Sequence, residues 1–475
     1  MTQLLLLDLR PMKSSKVIEK LVIDGISADG KSVGRHDKRV YFVKDAAPGD
    51  VVDIRVVGKQ KKFFLGEVIH FHQQSPDRTD SFCEHFGTCG GCKWQHIQYD
   101  AQLRHKQEHV DFNLRKISGI DLPELQPIIG SANTTYYRNK LEYTFSNKRW
   151  LTREEIEQGD ELSRNALGFH IPRRFDKILD INHCWLQADP SNEIRLAVKA
   201  YAEANELPFF DLQSQEGLLR NLIIRSSTTG DLMVIVQFFH NDEKAISGLM
   251  NHLKDNFSQI SSLMYIINEK KNETFYDLPV HTFAGEPFIH EEMEGLKFRI
   301  GPKSFYQTNS VQAYELYKVT RDFADLKGDE VVYDLYTGTG TIANFIAKSA
   351  KKVVGVESVE EAIIDARINS AINGIINTTF IAGDMKDMMN DEFVASYGRP
   401  DVIITDPPRA GMHQKVVEML NRIKPDKLVY VSCNPATQAR DLELLSECFV
   451  VEKIQPVDMF PQTHHVENVI LLKSK

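Results

Sequence analysis

The sequence predicts a multidomain chain: an OB-like β-barrel at the start, an α+β region in the middle and a doubly wound, Rossmann-like α/β domain at the end. Three observations carry this. Short β-rich runs with turn residues fill the first part, which is the pattern of a small barrel or sandwich. A tight group of cysteines opens the middle part and leads into mixed strand and helix patterns. Strand-like and helix-like runs alternate regularly through the last third, as in a parallel sheet covered by helices. The length of 475 residues allows about three domains at roughly 150 residues each.

Residues 11–75 form the first region. KVIEKLVIDGIS, KRVYFV, DVVDIRVVG and FFLGEVIHFH read as strands, with Gly30, Gly34, Pro48-Gly49 and Gly58 between them. A five-stranded barrel of the OB type fits, and such barrels often hold nucleic acid. The chain as a whole carries a net charge of −9, but this region has 12 Lys and Arg against 8 Asp and Glu. A locally basic segment on an acidic protein is either an electrostatic footprint for nucleic acid or an ordinary solvated surface.

Residues 76–300 form the second region. YDAQLRHKQEHVDFNLRKI predicts a helix, and KLEYTFSN, LLRNLIIRSS and DLMVIVQFFH predict strands. The polar stretch 152–165 reads as a surface loop. Residues 301–475 form the third. EVVYDLYTG, KKVVGVES, TTFIAGD, PDVIITDPPRAG and KLVYVSCNP read as buried parallel strands, with helices between them and VENVILLKSK as one more strand. Ligands of such sheets bind beyond the carboxyl ends of the strands.

A composition of 42% hydrophobic and 26% charged residues excludes wholesale disorder. No apolar run reaches the roughly 18–20 residues that span a membrane. The Leu4–Leu7 run is broken by Asp8 and has no basic residue before it, unlike a signal peptide. The expectation is a cytoplasmic protein, in which disulfides are not expected.

Six cysteines are present: Cys83, Cys89, Cys92, Cys184, Cys433 and Cys448. Cys83-x5-Cys89-x2-Cys92, with Cys184 as a distant fourth, suits thiolate ligation of an iron–sulfur cluster or zinc. Structural zinc sites more often show two close pairs, so the spacing favours iron–sulfur. Gly87, Gly90 and Gly91 would let the backbone wrap tightly and aim amides at sulfur. Three buried free thiols are the remaining reading.

Gly338-x-Gly340 follows one strand and precedes a helix, where a nucleotide can approach the backbone. Glu357 ends the next strand and could accept from ribose hydroxyls. NAD and S-adenosylmethionine stand level at this point, beside a plain tight turn. Asp406-Pro407-Pro408 follows the fourth strand and resembles the substrate-side motif of S-adenosylmethionine-dependent methyltransferases. The prolines fix φ and make a rigid edge for the Asp406 carboxylate. Asp384, after the third strand, could accept from an adenine amino group or simply form a turn.

Cys433 follows the fifth strand on the same edge, in VSCNPAT. A filler thiol more often sits inside an apolar run, as Cys448 does, so Cys433 reads as a nucleophile, with core packing as the alternative. The start of the next helix could lower its pKa. A thiolate is useful to a methyltransferase acting on carbon 5 of uracil: its addition to carbon 6 makes carbon 5 nucleophilic, and a base then removes the carbon 5 proton. Glu467, in HHVENVILL beside His464 and His465, could be that base or a solvated loop carboxylate.

Together, YDLYTGTGT, DPPRAG, VSCNPAT with ARDL, and HHVENVILL resemble the RNA uracil-5-methyltransferases over about residues 15–475. The N-terminal barrel resembles their TRAM domain. The cysteine set resembles the [4Fe-4S] site of the branch that modifies 23S ribosomal RNA. The resemblance implies methylation of carbon 5 of a specific uridine in 23S rRNA by a monomeric enzyme. Cys433 would be nucleophile and Glu467 base. Asp406 would lie between S-adenosylmethionine and the target uracil. Gln307, Tyr336, Thr341, Glu357 and Asp384 would line the cofactor site, and Phe305 would stack near the flipped base. Cys83, Cys89, Cys92 and Cys184 would hold the cluster. The glycine loop departs from the family pattern, which often has Phe-Cys-Gly and a final Asn where Tyr336, Thr337 and Thr341 stand. A target base must be unstacked or extruded to be reached. The alternatives are the same chemistry on transfer RNA, a non-catalytic RNA-binding protein with a vestigial fold, and an NAD-dependent redox enzyme. The last has no use for VSCNPAT followed by HHVE.

Overall fold

A computed structural model describes residues 16–60, 62–158, 162–172 and 174–475. Residues 11–15 of the expected barrel, the Leu4–Leu7 run and residues 159–161 of the expected polar loop lie outside them. The chain divides into two compact units, the first running to His109 and including Phe460–His465, the second comprising Val110–Met459 and Val466–Lys475.

In the first unit, β1 (Val17–Ile26), β2 (Ser32–His36), β3 (Arg39–Lys44), β4 (Val51–Gln60) and β5 (Phe63–Gln73) close a barrel in the order β1-β2-β3-β5-β4. Buried and exposed positions alternate along β4, as expected of strands with one face inward. The inward set, including Leu21, Ile23, Tyr41, Val43, Val52 and Ile54, fills the barrel. A second small core gathers Ala47, Trp94, Ile97 and Ala101. The Trp94 indole donates to the Gly30 carbonyl at 3.0 Å. Helix α1 (Tyr99–Ser118) carries the chain into the second unit.

The second unit holds two seven-stranded sheets and a hairpin. The first sheet has the strands β6 (Lys140–Ser146), β7 (Ala166–Ile171), β8 (Arg174–Asp180), β9 (Leu219–Ser226), β10 (Leu232–Phe238), β11 (Ser262–Ile267) and β12 (His281–Gly285), ordered β12-β11-β10-β9-β6-β7-β8. Helices α2 (Arg153–Gln158), α3 (Ser191–Ala204) and α4 (Glu243–Asn256) connect them. The stretch expected as a surface loop thus contains α2. Thr152 and Glu155 form a reciprocal cap there: the Glu155 N–H donates to Thr152 Oγ1 at 3.3 Å, and the Thr152 N–H to Glu155 Oε2 at 2.8 Å. A Thr-x-x-Glu box starts a helix even in a polar stretch.

The hairpin β13 (Ile289–Met293) and β14 (Leu296–Ile300) precedes α5 (Ser310–Ala324). The second sheet follows: β15 (Val331–Leu335), α6 (Thr341–Ile346), β16 (Lys352–Glu357), α7 (Glu360–Ile372), β17 (Thr378–Ala382), α8 (Met385–Met388), α9 (Asp391–Tyr397), β18 (Val402–Thr405), α10 (Gln414–Ile423), β19 (Lys427–Ser432), α11 (Pro435–Leu445), β20 (Phe449–Val457) and β21 (Glu467–Ser474). The order is β17-β16-β15-β18-β19-β21-β20. The first five strands pair in parallel, whereas β21 runs antiparallel between β19 and β20. Strand order reverses between β15 and β18, which opens a crevice at their carboxyl ends.

Candidate active site

Every strand that ends at this crevice delivers a polar group just past its last apolar residue. After β15 the backbone turns sharply: Tyr336, Gly338 and Gly340 all have positive φ, at 64°, 56° and 73°. A Cβ on Gly340 would stand 2.9 Å from both Ala366 Cβ and Phe380 Cζ. Gly340→Ala is therefore expected to cost about 1–3 kcal/mol and to weaken S-adenosylmethionine binding. Thermal melts and calorimetric titration check this, and an unchanged melting temperature would refute it.

Asp334, buried within β15, ties both arms of this turn together. Its Oδ2 accepts from the Thr337 hydroxyl and, at 3.1 Å, from the Ala343 N–H. Burial pushes its carboxyl up to about 7. Asp334 is not among the residues expected from the motifs, although a lone acid inside the apolar run VVYDL is a visible signal. Glu357 ends β16; its Oε2 accepts from the Gly338 N–H at 3.2 Å and its Oε1 from the Ser358 and Val359 N–H groups at 2.7 and 3.0 Å. Thr341 is buried at the first turn of α6, its hydroxyl 3.4 Å from that of Thr339. Tyr336 is half-buried, and burial raises its hydroxyl to about 12. Asp384 is exposed and caps α8, accepting from the Lys386 N–H at 3.2 Å and pairing with Lys386 Nζ at 2.6 Å.

The loop before α5 carries Phe305 and Gln307. It is pinned from beneath. Arg225 of β9 donates to the carbonyls of Gly301 and Ser304 at 3.1 and 3.0 Å. Asn139 Nδ2 donates to the Gln307 carbonyl at 2.8 Å. Gln307 is buried, whereas Phe305 is 70% exposed. A phenyl ring held out to solvent by a rigid loop gains nothing from folding.

Asp406, Cys433 and Glu467 come from neighbouring strands β18, β19 and β21. In the antiparallel ladder of β19 and β21, Ser432 faces Asn468, so the next facing positions are Cys433 and Glu467. Buried Gln438 and Asn468 lock that register: Asn468 Nδ2 donates to Gln438 Oε1 at 2.8 Å, and Gln438 Nε2 donates to the Tyr430 carbonyl at 3.0 Å. The Asp406 N–H donates to the Leu335 carbonyl at 3.3 Å, which joins the two halves of the crevice.

The electrostatics differ from the sequence expectation. Burial, and then Glu467, push the Cys433 thiol up to about 11, and the positive charge of nearby Arg409 opposes them. The helix start therefore does not produce a low pKa in this thiol. Desolvation outweighs it, and the relieving cation is Arg409, to which the motifs assign no role. Glu467 is held well above the ordinary carboxylate range by burial and by Asp406. Asp406 is raised to about 7, mainly by burial and then by Asp334. Burial, and then the charges of Tyr306, Asp406, Asp334 and Glu467, raise the hydroxyl of buried Tyr317 of α5 strongly.

His464 and His465 belong to the first unit. His464 packs on Gly30, where a Cβ would come within 2.7 Å of its own, and burial lowers its pKa to about 3. It is a packing residue there. Cys83, Cys89 and Cys92 share one loop of the first unit, all half-buried, whereas Cys184 is buried in the second. The Gly91 N–H points at Cys89 Sγ, 3.4 Å away. The Cys184 N–H donates to Asn192 Oδ1 at 2.8 Å. Among the described residues no three His, Cys, Asp or Glu side chains are gathered at metal-binding range.

Residues 286–475 match the tRNA (uracil-5-)-methyltransferase family model, and residues 19–69 the TRAM domain model. An uncharacterized RNA methyltransferase of Bacteroides thetaiotaomicron is 56% identical, over 94% of this chain and 100% of that protein. One of Porphyromonas gingivalis is 54% identical, over 95% and 98%. The crystal structure of Pyrococcus abyssi tRNA (uracil-54, C5)-methyltransferase in complex with S-adenosyl-L-homocysteine superposes with a TM-score of 0.74 at 28% identity, covering 95% of this chain and 100% of that one. Fold and crevice thus define a Rossmann-like, S-adenosylmethionine-dependent methyltransferase. The chain belongs to the RNA uracil-5-methyltransferase family.

Proposed function

We propose that the protein methylates carbon 5 of a uridine in 23S ribosomal RNA through a covalent adduct with Cys433. The observation that carries the chemistry is the facing pair of Cys433 and Glu467 beside Asp406 and Arg409. The Cys433 thiolate, eased by Arg409, adds to carbon 6 and turns carbon 5 into a nucleophile. S-adenosylmethionine supplies an electrophilic methyl group when bound. Glu467 then takes the proton left on carbon 5, the electron pair returns to the ring, and the bond from carbon 6 to sulfur breaks to release the thiolate. Burial suits Glu467 to this step, because receiving the proton leaves it in the neutral form that its surroundings favour.

The cofactor would lie along the crevice edge. Glu357 stands against the glycine turn, where ribose hydroxyls would lie, and Gln307, Tyr336, Thr341 and Asp384 would complete the cofactor site. Asp406 would separate cofactor from uracil, and exposed Phe305 would stack on the extruded base. The barrel would grip RNA through cations over rings: Lys31 lies 5.7 Å from the Phe42 centroid, and Arg39 and Lys59 each 5.7 Å from that of Phe64. Arg39→Ala with Lys59→Ala is expected to weaken RNA binding at every sequence and to flatten the salt dependence by about one unit of slope per lost phosphate contact. Filter binding across a salt series measures this, and an unchanged slope would exclude the barrel from the RNA contact.

Ribosomal RNA as target rests on the four-cysteine pattern. A [4Fe-4S] cluster on Cys83, Cys89, Cys92 and Cys184 fits the all-thiol donor set and the amide aimed at Cys89 Sγ, with zinc as the alternative. No catalytic step is assigned to it. Protein purified without air is expected to be brown and to contain iron; a colourless protein containing zinc would overturn the cluster. The structural likeness to a tRNA (uracil-54, C5)-methyltransferase favours transfer RNA as the second reading. Mapping 5-methyluridine in 23S rRNA and tRNA from cells with and without the gene decides between them. Such an enzyme would act in the cytoplasm, as a monomer.

A further inference from the structure

Three buried side chains from separate stretches, Glu291, Ser310 and Asn139, join in one hydrogen-bonded line that ends on the loop 301–309. Glu291, on the hairpin strand β13, is only 1% exposed. Its Oε1 accepts from the Thr228 N–H at 2.9 Å and from the Thr228 hydroxyl, in the turn between β9 and β10. Its Oε2 accepts from the Ser310 hydroxyl at 2.6 Å. Ser310 Oγ, at the first position of α5, in turn accepts from Asn139 Nδ2 at 2.8 Å. The same Asn139 Nδ2 donates to the Gln307 carbonyl at 2.8 Å, and the Asn139 N–H donates to the Thr308 carbonyl at 2.7 Å.

The line has a direction, and Glu291 sets it. A carboxylate only accepts, and a hydroxyl has one hydrogen to give. Ser310 gives that hydrogen to Glu291, so toward Asn139 it accepts. Asn139 therefore presents its NH2 end, the end that also holds the Gln307 carbonyl. This orientation leaves the buried Asn139 Oδ1 without a hydrogen-bond partner among the described residues, so nothing on the Oδ1 side selects it. Burying a carboxylate is costly, and a glutamine would fill the same space. In a glutamine, however, the Thr228 N–H would hold the carbonyl end and turn the NH2 toward Ser310. The Ser310 hydrogen would then go to Asn139, draw Oδ1 toward it and take the NH2 from the Gln307 carbonyl.

We infer that Glu291 is a positioning residue for the loop that carries Phe305 and Gln307: through Ser310 it fixes the Asn139 amide that holds the Gln307 carbonyl. Arg225 holds the first half of the loop, at Gly301 and Ser304, and this line holds the second. The inference rests on Gln307 lining the cofactor site for its catalytic meaning, but the hold on the loop can be read without cofactor or RNA.

The test is hydrogen–deuterium exchange of the peptide covering residues 301–309 in the full-length protein, with calorimetric titration of S-adenosyl-L-homocysteine beside it. Glu291→Gln keeps the shape. It is expected to speed exchange of that peptide by about 10-fold and to weaken binding by a similar factor, the size of one or two lost hydrogen bonds. Adding Ser310→Ala removes the hydroxyl that drives the reversal and should recover part of both losses, whereas residues that merely fill the core would lose more with each substitution. Ser310→Ala alone leaves the carboxylate in place and should speed exchange by about 2- to 3-fold, a reading that stands even if Glu291→Gln does not fold. Wild-type exchange in a Glu291→Gln protein that melts as wild type, wild-type exchange in Ser310→Ala, or a further loss in the double variant would overturn the inference. If Glu291→Gln speeds exchange while Gln307→Ala binds S-adenosyl-L-homocysteine as wild type does, the positioning stands and the cofactor contact of Gln307 falls.

Discussion

Cys433→Ala is expected to abolish methyl transfer, by about 10⁴-fold or more, while leaving S-adenosylmethionine binding within about 3-fold of wild type. The size follows from the chemistry. Without addition at carbon 6, carbon 5 of uracil is too weak a nucleophile to take the methyl group, and no other thiol of the second unit follows β19 on this edge. The binding half follows from geometry, because the glycine turn, Glu357 and Gln307 sit on other strands and loops. A companion measurement uses RNA carrying 5-fluorouridine. Fluorine cannot be removed as a proton, so wild-type protein should form an adduct that survives denaturing electrophoresis, and Cys433→Ala should form none. An alanine variant that methylates at the wild-type rate would end the covalent mechanism.

Glu467→Gln separates the two halves of the reaction. A carboxamide is not a base, so addition and methyl transfer should proceed in this variant while proton removal stalls. The expected result is a methylated, covalently attached intermediate that accumulates on ordinary RNA, with turnover lowered by about 10²- to 10⁴-fold. Absence of any adduct with turnover intact would move the base elsewhere. The pH dependence carries a sign as well. Folding raises the Cys433 thiol to about 11 and keeps Glu467 protonated to higher pH than usual. The thiolate and the carboxylate are the active forms, so kcat/KM should climb as pH rises through and above neutrality. A profile falling from pH 7 to pH 9 would contradict both assignments.

Much of the second sheet is readable because parallel strands buried on both faces are written as continuous apolar runs. VVYDL, KVVGVE, VIIT and KLVYVS could hardly be anything else, and the polar residue ending each run marks the crevice. β20 is not legible in this way. Its burial alternates at first and Glu452, Lys453 and Pro456 interrupt it, so its pairing with β21 comes from tertiary context. The short helices α8 and α9 escape notice because each is about one or two turns, below the length at which periodicity speaks. The positions of the candidate site residues at strand ends are legible for the same reason as the strands. Asp334 leaves a visible mark as the lone acid in VVYDL, but its role as the tie of the glycine turn is not legible. Tyr317 is not legible at all, because a buried polar side chain inside a helix looks like noise until its partners are known. Arg409 stands in plain view in DPPR, but its proximity to Cys433 depends on two loops meeting, which spacing along the chain does not encode. The low thiol pKa expected from the helix start is not found, because burial of the sulfur outweighs the helix terminus.

The burial of Cys433 also bears on how the protein ages. Peroxides and electrophiles attack thiolates, not thiols. With its pKa pushed up by burial, this sulfur rests as the thiol rather than the thiolate at neutral pH. A Cys433 nucleophile would thus be chemically dormant between substrates, and the protein should withstand mild oxidants that would disable an enzyme whose cysteine is kept ionised.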